Sequence, residues 1–153
     1  MYSFFLGLHN INRYVIVIIA LILLFRSIMG WRNKAAWDDQ IQKFGLYYTS
    51  ALDTQFLLGL LLYFFFSPLT KVALSDFGAA MSESAIRFFA LEHPLTMLLS
   101  VVMGHVAYSS AKNKEMEATK RHQRIALFVG LSLLFIILGH LGGDMAARLI
   151  PFF

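Results

Sequence analysis

Residues 14–25 read YVIVIIALILLF, twelve side chains in succession without a charge, and the reading of this run decides the fold. Extended outward it spans about Phe4 to Gly30 and closes on Arg26, Trp31 and Arg32. A helix rising about 1.5 Å per residue needs roughly 20 apolar residues to cross a hydrocarbon layer about 30 Å thick. The run therefore reads as a membrane crossing.

Three more runs follow. Residues 46–66 make the second and stop at Ser67-Pro68, since proline cannot continue a helix. The third, residues 85–108, contains Arg87, Glu92, His93 and Pro94, and the fourth covers 125–141. With 153 residues, 58% hydrophobic and 14% charged, and a mean hydropathy of +0.65, little polar sequence remains for a water-soluble domain. The expectation is a single all-α domain, a four-helix transmembrane bundle with crossings at about 4–30, 46–66, 85–108 and 125–141. The apolar tail, 142–153, is expected to lie in the interface. The first residues lack the basic start of a cleaved signal, so the first run is expected to be retained.

Lys and Arg collect in two loops. One holds Arg26, Arg32, Lys34 and Lys43; the other holds Lys112, Lys114, Lys120, Arg121 and Arg124. Basic loops stay on the cytoplasmic side, which predicts both termini outward in a multi-pass protein of a bacterial inner membrane. The same placement explains the net charge of +4 without nucleic acid as a partner; lipid is the surrounding medium. The chain has no cysteine, which excludes disulfides, thiolate metal sites, iron–sulfur clusters and covalently attached c-type haem.

Helical phase gathers small and polar residues into stripes. The first helix carries His9, Arg13, Ile16, Ala20 and Ser27; the second Tyr48, Gln55, Gly59 and Tyr63; the third His93, Met97, Ser100 and Gly104. Such stripes turn toward the bundle interior, because polar groups are costly against lipid and small residues let helices approach. On the predicted topology His9, His93 and His140 share the outer half of the membrane.

Imidazole and guanidinium one turn apart, at His9 and Arg13, suit a haem iron ligand beside a partner for a propionate. His93 is the expected second axial ligand, His140 its competitor and Met97 a weaker alternative. The opposing reading pairs Arg13 with Glu92 and leaves the histidines bonded to water or carbonyls. Glu92-His93-Pro94 also permits a quinol or proton-relay site, and a metal site from His9, His93 and His140 is conceivable. Asp53 reads as a neutral acid bonded to a neighbouring helix, His105 as a snorkelling or interhelical group, and His122 as part of a basic anchor at the lipid surface.

Leu8-His9 with Arg13, Gln55 to Gly59 with Leu62-Tyr63-Phe64, Glu92-His93 with Met97 and Gly104, and Arg121-His122 together cover most of the chain. In these motifs it resembles a family of short four-helix bacterial membrane proteins labelled cytochrome b-like. The resemblance implies that His9, Arg13, Gln55, Gly59, Tyr63, Glu92, His93 and Met97 are the positions that matter. It also implies a departure, since members often carry a histidine near the position of Asp53.

The function expected is that of a membrane-embedded b-type haem protein passing electrons between quinol and a partner protein. His9 and His93 would be the axial pair, Arg13 the propionate partner and Glu92 an outer-side proton or quinol group. The alternative is a cofactor-free accessory or structural subunit of a larger membrane complex, its Phe-rich surface covered by neighbours.

Overall fold

The structure, a computed structural model, describes residues 1–141. The expected interfacial tail lies outside the described residues. Four helices are long and apolar enough to cross a membrane: α1 (Tyr2–Arg32), α2 (Asp39–Leu61, continued to Phe66), α6 (His93–Lys112, preceded by a run from Ser84) and α7 (Ala118–Leu141). Each starts or ends beyond its apolar run. The second begins at Asp39 because the Asp38 carboxylate accepts from the Gln40 amide and caps it, while Arg26 of α1 pairs with the same carboxylate.

The long helices form a four-membered ring. α1 packs on α2 and α7, and α6 on the same two, which sets α1 and α6 on one diagonal and α2 and α7 on the other. All three polar stripes face inward. Ile16, Ala20, Leu23, Tyr48, Leu52, Ala107, Ile125 and Val129 make the core of the basic half. Close approach rests on glycines: a Cβ at Gly104 would meet Leu52, and one at Gly139 would meet Met97 and Thr96. At the centre the Tyr48 hydroxyl, Ser132 Oγ and Ser100 Oγ bond at 2.7 and 2.8 Å, joining α2, α6 and α7.

Between the second and third spans the chain makes three short helices, α3 (Pro68–Ser75), α4 (Phe77–Ser82) and α5 (Ser84–Arg87). Ser67 and Asp76 cap the first two, and Ala73, Ala80 and Ala90 pack them on the bundle. Wide π-helical turns, Leu62–Phe66 and Phe88–Glu92, flank this region. At each a hydroxyl takes up a carbonyl. Pro94 has no N–H for the carbonyl of Ala90, and the Tyr63 hydroxyl donates to that oxygen at 2.9 Å. At the other turn the helix ends on the extended Ser67, Pro68 opens α3, and the Tyr63 carbonyl accepts from the Thr70 hydroxyl at 2.6 Å.

His122 is not the exposed anchor expected from its basic neighbours. Because α7 begins at Ala118, His122 shares the inward phase of Ile125, Val129 and Ser132 and is 1% exposed. It lies against Gly30 and the Trp37 ring, while the Arg121 guanidinium stacks on Trp37 at 3.4 Å and donates to the Ala111 carbonyl.

Candidate functional site

The core thins out toward the histidine end, where the diagonal between α1 and α6 is spanned by rings instead of aliphatic packing. A cavity of about 360 Å3 opens there. Its walls are mostly apolar, with Leu6, Phe56, Leu60, Phe64, Phe89 and Ile136 among them. His9, Arg13, Gln55, Tyr63, His93, Met97 and His140 line it, and Ser100 belongs to the same lining. Seven of the eight expected cofactor-site residues thus reach one space.

His93 has an imidazole neighbour on either of two helices. The ring centres of His9 and His93 lie 6.3 Å apart, and those of His93 and His140 also 6.3 Å. The hydrogen bonds orient two of the rings. His93 Nδ1 stands 2.9 Å from the carbonyl of Gly139, and a carbonyl only accepts, so Nδ1 donates there. In His140, Nδ1 is 2.8 Å from the carbonyl of Ile136 and Nε2 3.1 Å from Arg13 Nη1. A guanidinium only donates, so His140 Nε2 accepts from Arg13. His9 presents Nε2 toward Gly59, where even a Cβ would stop 3.7 Å away.

Gln55 and Asn12 set the position of α1. Gln55 Nε2 donates to the His9 carbonyl at 2.9 Å, and Asn12 Nδ2 donates to both Gln55 Oε1 and the Ala51 carbonyl at 2.9 Å. The Gln55 amide therefore holds the backbone that carries His9. Asn12 escaped the sequence reading; its signal was its place one turn from His9 and beside Arg13, on a helix otherwise short of amides. Tyr63 directs its hydroxyl to Ala90, as described, and shows its ring to the cavity.

Two expectations fail on geometry. Glu92 stays out of the cavity, because it lies about 100° around the helix from His93, and its Oε1 takes Arg87 Nε at 2.9 Å. The Arg13–Glu92 pair is accordingly replaced by Arg13–His140 and Arg87–Glu92. Nor do three ligands converge: among the described residues no group of three or more His, Cys, Asp or Glu side chains is placed to hold a metal ion.

No family model matches the chain, and neither a curated protein nor a solved structure matches it.

Proposed function

We propose that the cavity holds one b-type haem and that the protein is a multi-pass electron carrier of a bacterial inner membrane, its histidine end outward. The observation that carries the reading is the His9–His93 pair. The two rings, on α1 and α6 across the diagonal, lie 6.3 Å apart in the cavity, so both could reach one iron held between them. Behind His93 stands the Gly139 carbonyl, the hydrogen bond that commonly orients a metal-ligating histidine and raises its basicity. The resemblance to the cytochrome b-like family supports the same assignment.

Haem iron held by two histidines supplies a one-electron redox couple. The chain's own residues determine the rest. His9 and His93 would hold the iron; Gln55 and Asn12 hold His9 through the α1 backbone; Gly59 keeps room beside its Nε2. His140 leaves the ligand set, because its lone pair belongs to Arg13, and instead orients that guanidinium toward the cavity as the partner for a carboxylate. Apolar walls exclude water and so tune the potential. Quinol is the expected donor, engaging the protein outside this cavity, because Glu92 faces away from it.

The test is a dithionite-reduced minus oxidised spectrum of the protein purified in mild detergent after expression with ample haem. Sharp reduced bands at near-stoichiometric haem, lost in His9→Ala and His93→Ala and kept in His140→Gln, are expected. A featureless spectrum from folded protein ends the reading and makes the accessory-subunit alternative the one to pursue, through co-migration with a larger complex on native gels.

A further inference from the structure

Asp53 and His105 take no part in the cavity. Asp53 stands midway along the span Asp39–Phe66, about 20 Å from either end. Its Oδ1 lies 2.8 Å from His105 Nε2 on α6, so the two groups share one depth. Their side chains are 49% and 50% exposed, on the outer surface of the bundle. Asp53 Oδ2 and His105 Nδ1 make no hydrogen bond among the described residues. Ser50, Thr54 and Ser109 are exposed beside them, on the same faces of α2 and α6.

An acid–imidazole couple facing hydrocarbon costs at least a few kcal/mol, whereas one covered by complementary groups does not. We propose that this face of α2 and α6 is covered by a second copy of the chain, in a two-fold dimer with Asp53 and His105 at its centre. Copies inserted with the same topology are related by an axis along the membrane normal. A rotation of 180° about that axis exchanges left and right and keeps depth. Since Asp53 and His105 sit side by side at one depth, the operation brings each Asp53 opposite the other copy's His105. The patch is therefore self-complementary, as an isologous interface requires. The second carboxylate oxygen and the second ring nitrogen are the atoms left to close a ring of four hydrogen bonds. Leu57 and Val102, each about one turn toward the histidine end and both exposed, would pack above it.

The inference does not depend on haem. The chain contains no cysteine, so single introduced thiols report cleanly. Leu57→Cys and Val102→Cys, oxidised in native membranes, are expected to give a covalent species of twice the mass. Ile18→Cys, exposed on α1 away from the patch, is expected to give almost none. Adding Asp53→Ala to Leu57→Cys should lower the yield about five-fold, and exchanging the pair in Asp53→His with His105→Asp should restore it. Equal cross-linking on α1, no cross-linking at the patch in correctly inserted protein, or an adduct whose mass is not twice that of the chain would each overturn the dimer.

Discussion

At Gly30 a hydrogen is all the structure admits. A Cβ there would lie 2.5 to 2.8 Å from three atoms of the buried His122 ring, which Trp37 and α1 hold in place. Gly30→Ala should cost about 1–3 kcal/mol by overpacking, seen as a lower thermal midpoint in detergent. Gly59 is the opposite case. Its missing side chain leaves space, so Gly59→Leu should fold normally yet lose most haem occupancy, read as absorbance per protein at unchanged elution volume. His9 and Arg13 were legible from spacing alone, because a straight helix preserves phase for many turns. Glu92 and His122 were not. Adjacent residues differ by about 100° in direction, so a pattern that identifies an inward histidine says little about the acid beside it. A charged neighbourhood likewise hides an inward imidazole when the start of its helix is unknown.

Each of the long elements was legible as a length of apolar sequence, and its irregularities were not. The two π-helical turns each insert a residue into the helical phase, so periodicity read through Leu62–Phe66 or Phe88–Glu92 loses its meaning. Prolines mark these places in the sequence, but the hydroxyls that satisfy the released carbonyls come from other elements. Tyr63→Phe removes the donor to Ala90 and leaves that carbonyl to whatever water reaches it. A loss of about 1–3 kcal/mol is expected, with the short helices between Ser67 and Ser84 becoming protease-sensitive first. The cap on α2 makes a smaller test. Asp38→Ala removes both the acceptor for Gln40 and the partner of Arg26, and should cost about 1 kcal/mol in thermal unfolding.

At the scale of the whole molecule, helix order was the piece that sequence left open. Short loops favour sequential neighbours, and α1–α2 and α6–α7 are such pairs. That α1 and α6 face each other across a diagonal follows only from the closed ring, and it is this diagonal that brings His9 to His93. One atom, Ser132 Oγ, joins three of the four helices. Ser132→Ala strips the shared partner from the Tyr48 and Ser100 hydroxyls and should lower the thermal midpoint more than Tyr48→Phe, which removes one bond of about 1 kcal/mol.

The same serine sets the register of the helices that meet on it. Its hydroxyl donates to the carbonyl of Ser100 at 2.8 Å, which uses the only proton it has. Tyr48 and Ser100 must then both donate into it, and the three hydroxyls converge. With three hydroxyls meeting on one oxygen, α2, α6 and α7 are pinned at a common depth, and sliding any one of them along its axis would break a bond.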